Sequence, residues 1–113
     1  MDSITLKDIE IPSVNHYLGR TKSGRTYLTE QAKEFKKIIA IYCKNFELRK
    51  DNVAIKFNWY INHNRRSDLD NRLKVLLDSL TGIAYIDDKQ VVEIHAKKIK
   101  TDFNGFDLII ESV

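Results

Sequence analysis

The sequence predicts an α+β fold with the element order β-α-β-α-β-β in a single domain, residues 1–113. Three observations support this prediction. The length of 113 residues fits one domain, one segment alternates strictly between apolar and polar residues, and two segments carry apolar residues at helical spacing. With 42% hydrophobic residues, the chain can bury a core. We expect two helices packed on a mostly antiparallel or mixed sheet.

Two segments in the first half of the chain have the alternation of strands. In "SITLKDIEI", residues 3–11, the alternation slips by one near Lys7 and Asp8, which is typical of a strand with a bulge. "VAIKFNWYI", residues 53–61, alternates without a slip, so we expect a central strand with Trp59 in the core.

Two helices are predicted from apolar spacing and from end signals. Thr29 is a suitable N-cap for the first helix, whose apolar face is formed by Ala32, Phe35, Ile39, Tyr42, Cys43 and Phe46. The second helix is predicted over residues 69–80, and Gly82 follows it as a stop signal. Its apolar stripe comprises Leu69, Leu73, Leu76, Leu77 and Leu80.

The remaining segments predict a loop and a hairpin. Residues 12–28 lack a sustained period and hold turn formers and basic residues, so we expect a long basic loop. Near the end of the chain, "VVEIHAKKI" and "FDLIIESV" are joined through Asn104 and Gly105, a dipeptide favoured in tight hairpin turns.

Composition narrows the class of protein. Lys and Arg total 19 against 16 Asp and Glu, and the sequence pI near 9.0 permits a polyanionic partner. The single cysteine, Cys43, cannot form an intrachain disulfide, and no apolar run resembles a signal peptide or membrane span. We therefore expect a cytoplasmic protein with no membrane association. The three histidines have no shared ligand spacing, so no zinc site is predicted.

The stretch "RRSDLDNRLK" places Asp68 and Asp70 at the start of the second helix. Capping and the helix dipole explain one carboxylate there, but two acids exceed what a cap requires. Asp70 and Lys74 are four residues apart, and an ion pair between them would contribute only ~0.3–0.5 kcal/mol. Capping, ion pairing and chemistry all remain open at this point.

A second acidic pair, Asp87 and Asp88, lies between Gly82 and the next strand. The helix advances ~18 Å, and the residues after Gly82 can travel back ~20 Å at full stretch. The pair could therefore join Asp68 and Asp70 in one cluster. Carboxylates with water are the ligands of Mg²⁺ or Mn²⁺, and converging carboxylates repel unless a cation lies among them. The alternative is a plain polar turn.

The run "DLDNRLKVLLDSLTGIAYIDDKQV" resembles the RusA-type Holliday junction resolvases, whose pattern is D-x-D-N-x-x-K, then D-x-L, then D-D-x-x-V. The segment "PSVNHYLGRTKSGRTYLT" is similar to that family's entry. Two departures stand out. The family often has two prolines where this chain has Ile11 and Pro12, and the basic run before the acids is short, Arg65 and Arg66 only.

The resemblance implies a metal-dependent endodeoxyribonuclease, encoded by a bacterium or prophage, that cuts Holliday junctions in DNA recombination and repair. Asp68, Asp70 and Asp88 match the family's metal ligands, and Lys74 matches its essential lysine. Asp87 would orient the metal ligands without binding the metal itself. Asp78 occupies the D-x-L position, where we expect it to support the helix or the loop before Asp88. The implied cofactor is Mg²⁺, with Mn²⁺ as a substitute.

Branched DNA, a four-way junction, and a second copy of the chain are the implied partners. Candidate phosphate contacts are Arg20, Lys22, Arg25, Arg65 and Arg66, with Lys97, Lys98 and Lys100 further along, although solvated surface explains each equally simply. A homodimer would present two sites to two symmetry-related strands, with Ile109 as an interface candidate. Two alternatives remain: a nuclease for other branched DNA, and a catalytically silent DNA-binding or phage regulatory protein.

Overall fold

The computed structural model describes residues 1–13, 18–20, 26–62 and 68–113. Within them, a four-stranded mixed sheet has the order β1-β6-β4-β5, and β2 and β3 form a separate antiparallel pair. The elements are β1 (Asp2–Lys7), β2 (Leu18–Arg20), β3 (Thr26–Leu28), α1 (Glu30–Tyr42), β4 (Val53–Ile61), α2 (Leu69–Leu80), a short 3₁₀ helix (Asp88–Gln90), β5 (Val91–Lys100) and β6 (Gly105–Ser112). The predicted α+β class and order of the main elements are confirmed.

β4 is the central strand that its alternating sequence predicts. It pairs with β6 in antiparallel and with β5 in parallel orientation. Its alternate residues face the core, and Trp59 is only 5% exposed. The core lies between this face of the sheet and the apolar sides of both helices.

The predicted hairpin of the last two strands is wrong, because β4 lies between β5 and β6. A parallel pair needs a crossover connection, and α2 supplies it between β4 and β5. The chain then passes to the other side of β4 to form β6. Gly105 serves close packing here, since a Cβ on it would lie 2.1 Å from the Leu6 carbonyl oxygen of the neighbouring β1.

The first strand is shorter than predicted and has no bulge within it. β1 ends at Lys7, and Asp8 takes a left-handed conformation with φ of +60°. Its amide donates to the Asn104 carbonyl at 2.7 Å. The slip in the apolar pattern therefore marks the end of the strand, and the chain leaves the sheet to bury Ile11 in the core.

The predicted long loop before α1 contains regular structure. β2 and β3 pair in antiparallel register, with Gly19 opposite Tyr27. A short strand pair of three residues each offers too little alternation to be detected from sequence. Residues 14–17 and 21–25 lie outside the described part of the chain.

Both helices form as predicted. Thr29 caps α1 by accepting from the Ala32 amide at 3.2 Å, although Tyr42, assigned to its apolar face, is 55% exposed. α2 has the predicted bounds, and Gly82 beyond it has a φ of +86°. In the part of the chain that the structure describes, no helix is long and apolar enough to cross a bilayer.

Candidate active site

The carboxylates of Asp68 and Asp70 are exposed at the first turn of α2. Asp68 occupies the N-cap position with extended backbone, but its side chain caps no backbone amide of the helix. It accepts instead from the Asn71 side-chain amide at 3.3 Å, while Asp70 accepts from the adjacent Asn71 backbone amide at 3.0 Å. Helix capping therefore does not account for the Asp68 carboxylate.

Lys74 is exposed one turn further along α2. Among the ion pairs of the described residues, none joins Lys74 to an acid within 4.0 Å, so the simple pairing with Asp70 does not form. Its charge still acts on Asp78, one turn beyond, where it partly opposes the rise in the pKa of that carboxyl that burial causes. A lysine ammonium without a close acidic partner can donate hydrogen bonds to a phosphate oxygen.

The chain between Gly82 and Asp88 forms a compact turn, whereas its length would also allow an extended segment running back along α2. The Gly82 amide donates to the Tyr85 carbonyl at 2.7 Å, and the Ala84 amide donates to the Leu80 carbonyl at 2.9 Å. Tyr85 is buried, and its hydroxyl donates to the Leu77 carbonyl at 2.6 Å. After this turn the chain enters the 3₁₀ helix, which begins at Asp88.

The two neighbouring acids of this segment have different surroundings. Asp87 caps the 3₁₀ helix by accepting from the Lys89 amide at 3.0 Å, and this hydrogen bond is the main cause of its lowered pKa. Asp88 is exposed on the first residue of the same helix. The predicted supporting position of Asp87 thus has a defined local contact, whereas Asp88 presents its carboxylate to solvent.

Asp88 lies close enough to α2 to act electrostatically on its second half. Burial raises the pKa of the Asp78 carboxyl, and the Asp88 charge raises it further, while Lys74 and Lys36 oppose the increase. Burial and the charges of Asp88 and Asp78 also raise the pKa of Tyr85. Asp88 and Lys74 thus act on Asp78 in opposite directions, and Asp78 is half-buried.

Asp68 and Asp70 lie on the same helix as Asp78 but nearer its start, and eight residues of helix rise about 12 Å. Within the described ranges, no three His, Cys, Asp or Glu side chains are close enough together to hold a metal ion. The convergence of Asp68, Asp70 and Asp88 on one metal stays a prediction. Oxygen donors of this kind suit Mg²⁺, which keeps several waters and takes few protein ligands.

Comparison with known proteins covers nearly the whole chain. The family model described as endodeoxyribonuclease RusA matches residues 8–111, which include the acidic segments. The chain belongs to the RusA family. The crossover junction endodeoxyribonuclease RusA of Escherichia coli strain K12 is 32% identical over 98 residues, which cover 83% of this chain and 81% of that protein. The proteins of the same name from E. coli strain UTI89 and Shigella sonnei strain Ss046 are 32% and 31% identical over the same shares.

Two residues that contact the segments of the candidate site in this RusA-family chain were missed from sequence. Arg72 donates to the Ile11 carbonyl at 2.7 Å and lies 5.5 Å from the centre of the Trp59 ring, so it joins α2 to the start of the family's entry segment. Gln90 is buried and completes the cap of the 3₁₀ helix. The spacing Asp-x-x-Gln of residues 87–90 is a capping-box pattern and could have identified Gln90, whereas nothing local distinguishes Arg72.

Most of the predicted DNA contacts of this RusA-family chain lie where no side chain is described. Lys22, Arg25, Arg65 and Arg66 are outside the described residues, and Arg20 is placed on β2 by its backbone. The late lysines are exposed on β5 at the edge of the sheet. Alternation along the strand places Lys97 on one face and Lys98 and Lys100 on the other. A role of these residues in binding DNA stays a prediction.

Proposed function

We propose that the protein is a Mg²⁺-dependent endodeoxyribonuclease that resolves four-way Holliday junctions in DNA recombination and repair. This proposal rests on membership of the RusA family and on the names of relatives, which are crossover junction endodeoxyribonucleases. The observation that carries it is the placement of the D-x-D-N-x-x-K motif. Its acids and its lysine are exposed on the first two turns of α2. Asp68 makes no capping hydrogen bond, and among the described residues Lys74 makes no ion pair within 4.0 Å.

Asp68, Asp70 and Asp88 would hold the cation. Their fit rests on donor chemistry, since all three are exposed carboxylates and hard oxygen ligands are what Mg²⁺ takes. When bound, a divalent cation would neutralise charge on the scissile phosphate and lower the pKa of a coordinated water. Asp87 has a separate role, because its carboxylate already caps the helix that carries Asp88.

Lys74 would bind a nonbridging oxygen of the scissile phosphate. Its ammonium group carries a fixed positive charge one helical turn from Asp70. Charge builds on the phosphate oxygens as the attacking oxygen adds and the leaving oxygen departs, so a positioned cation stabilises the transition state more than the ground state. The products expected for this family are a 5′-phosphate and a 3′-hydroxyl end.

A homodimer would supply two such sites. A four-way junction offers two symmetry-related strands, and a twofold dimer presents two identical sites in matching orientation. Ile109 on β6 is half-buried on the helix-free side of the sheet, because its neighbours Leu108 and Ile110 face the core. Size-exclusion chromatography with light scattering tests this part, and a monomer at micromolar concentration contradicts it.

The decisive experiment compares cleavage of a mobile four-way junction with cleavage of a linear duplex of the same sequence. We expect Mg²⁺-dependent paired nicks in the junction and none in the duplex, with loss of cleavage in excess EDTA. Asp70→Asn should abolish cleavage and leave junction binding intact, because only the carboxylate charge is removed. Asp102→Asn, at an exposed acid outside the motif, is the matched control.

Each other outcome would support a specific alternative to the proposal. Cleavage of flaps or forks in preference to junctions would assign a different branched substrate. Junction binding without cleavage at any Mg²⁺ or Mn²⁺ concentration would indicate a catalytically silent DNA-binding protein. Full activity of Asp70→Asn would overturn the assignment of the metal site.

A further inference from the structure

Gln90 is a buried side chain whose amide makes four hydrogen bonds. It is 9% exposed. Its oxygen accepts from the backbone amides of Ile86 at 2.9 Å and Asp87 at 3.0 Å. Its nitrogen donates to the carbonyls of Arg49 at 2.9 Å and Asp51 at 2.8 Å. A primary amide has two donors and at least two acceptor sites, so the side chain is fully used.

These bonds join two segments that are distant in sequence. One is the turn that carries Asp88, and the other is the connection before β4. A backbone hydrogen bond from Arg49 to the Ala84 carbonyl at 3.1 Å reinforces the junction. Arg49 is itself fixed, because its guanidinium pairs with Asp2 at 2.8 Å and donates to the Ser112 hydroxyl at 3.1 Å. The turn that carries Asp88 is therefore attached, through Arg49, to strands β1 and β6 of the sheet.

Asp88 lies between the two residues that this arrangement fixes. Asp87 before it is held by its amide and by its cap, and Gln90 follows two residues later. A three-residue 3₁₀ helix has poor intrinsic stability, so its geometry depends on side-chain bonds of this kind. Without the Gln90 amide, the turn that carries Asp88 would lose both side-chain hydrogen bonds that join it to the connection before β4.

We propose that Gln90 is a positioning residue that holds Asp88 in the orientation required for binding a divalent metal. The inference rests on the proposed function, which makes Asp88 a metal ligand. Residues that orient ligands from behind typically change metal affinity by about 10- to 100-fold when removed. A Gln90 that merely stabilises the fold would instead leave the affinity of the folded protein unchanged.

The test is a double-mutant cycle read out as Mn²⁺ affinity by calorimetry on the folded full chain. Gln90→Met keeps the length of the side chain and removes all four hydrogen bonds. We expect it to weaken Mn²⁺ binding at least about tenfold. On an Asp88→Asn background, the same change should leave the residual affinity unaltered, because Gln90 acts through Asp88.

Two further variants separate positioning from stability. Ile39→Ala removes a buried side chain from α1 and should lower stability without changing Mn²⁺ affinity. Gln90→Asn keeps the amide but shortens its reach, so it should give an intermediate affinity and decides the matter if Gln90→Met does not fold. Wild-type affinity in a folded Gln90→Met or Gln90→Asn variant overturns the proposal, as does equal weakening with and without the Asp88 carboxylate.

A separate readout distinguishes failure of this inference from failure of the proposed function. Hydrogen exchange at the Ile86 and Asp87 amides reports the Gln90 contacts without any metal. If the wild type binds no Mn²⁺, the proposed metal site falls, and with it the ligand role of Asp88. If the wild type binds Mn²⁺ but Gln90→Met leaves both the exchange and the affinity unchanged, only the role of Gln90 is refuted.

Discussion

The two polar regions of this molecule use their charges in opposite ways. Around Arg49, every named polar group has a partner. Arg49 is 3% exposed, its guanidinium is bonded to Asp2 and Ser112, and its carbonyl accepts a hydrogen bond from the Gln90 side-chain amide. At the start of α2, Asp68 and Lys74 are exposed, and neither forms the local contact that its position would favour.

The difference separates charges that hold the fold from charges available to a substrate. Buried ionic groups tolerate burial only when paired and hydrogen-bonded, and the Arg49 region meets that requirement. Exposed charges on a helix surface contribute little to stability, so the presence of Asp68 and Lys74 in a family motif favours a role in binding. Variants in the first region should therefore change stability, and variants in the second should change activity.

Of the variants that test this difference between the two regions, Lys74→Met should give the largest effect on activity. Removing one positioned group that stabilises transition-state charge costs about 10²- to 10³-fold in turnover. Because the side chain is exposed and without a close ion pair among the described residues, the free energy of unfolding should change by less than about 0.5 kcal/mol. Junction cleavage under single-turnover conditions and urea denaturation measure the two quantities.

The control for Lys74 is Lys37→Met, at an exposed position on α1. It should leave cleavage within about twofold of the wild type, since it removes the same charge from a surface outside the motif. A loss of cleavage equal to that of Lys74→Met would show that net charge, acting through DNA affinity, explains the effect. The comparison between the two regions would then lose its main support.

Asp2→Asn should lower stability and leave cleavage by the remaining folded protein unchanged. The Asp2 carboxylate accepts from Arg49 and from the Glu47 amide at 3.0 Å. The variant therefore leaves a buried guanidinium with only the exposed Glu47 carboxylate, at 4.0 Å, as counter-charge. Hydrogen bonds to charged groups contribute roughly 1.5–3 kcal/mol, and we expect a loss in that range at neutral pH. Urea denaturation at several pH values measures it.

The pH dependence of that loss has a definite sign. Burial opposes ionisation of Asp2, but the hydrogen bonds from Glu47 and Arg49 and the Arg49 charge lower its pKa below the ordinary value of 3.8. A carboxyl whose pKa is lower in the folded state stabilises the fold above its unfolded pKa and loses that contribution as the pH falls through the folded value. The difference between wild type and Asp2→Asn should therefore be constant near neutral pH and shrink below about pH 4. A constant difference down to pH 2 would contradict this account.

Local signals in the sequence predicted both bounds of α2 correctly, and the family motif lies on this helix. The leucine stripe, the acids of its first turn and Gly82 all lie within a few residues of the helix, so no tertiary information is needed. Thr29 and the alternating β4 were predictable for the same reason. The candidate ligands on α2 were found because they belong to that local pattern.

Pairing and burial were less predictable because they depend on distant residues. The Asn104 and Gly105 dipeptide indicated a hairpin, yet β4 competes for both neighbours and separates them. Arg49 has no local sign of burial, and the capping-box spacing that marks Gln90 does not indicate that it is buried. Each is buried by contacts across about 40 residues or more of sequence. Sequence thus located the candidate catalytic residues of α2 but not the groups that hold the Asp88 segment.

Tyr85→Phe should give the smallest effect and sharpen the comparison at its boundary. Tyr85 forms backbone bridges with both Arg49 and Thr81, and its hydroxyl donates to the Leu77 carbonyl, so it joins the two regions. Loss of one such hydrogen bond, with the ring still buried, should cost about 1 kcal/mol in the free energy of unfolding. Cleavage should stay within about twofold, because the hydroxyl points to a carbonyl and the packing that directs the chain towards Asp88 is kept. A much larger loss of cleavage than of stability would show that the Tyr85 hydroxyl contributes to the electrostatics of Asp78 and Asp88. Tyr85 would then belong to both the structural and the reactive region.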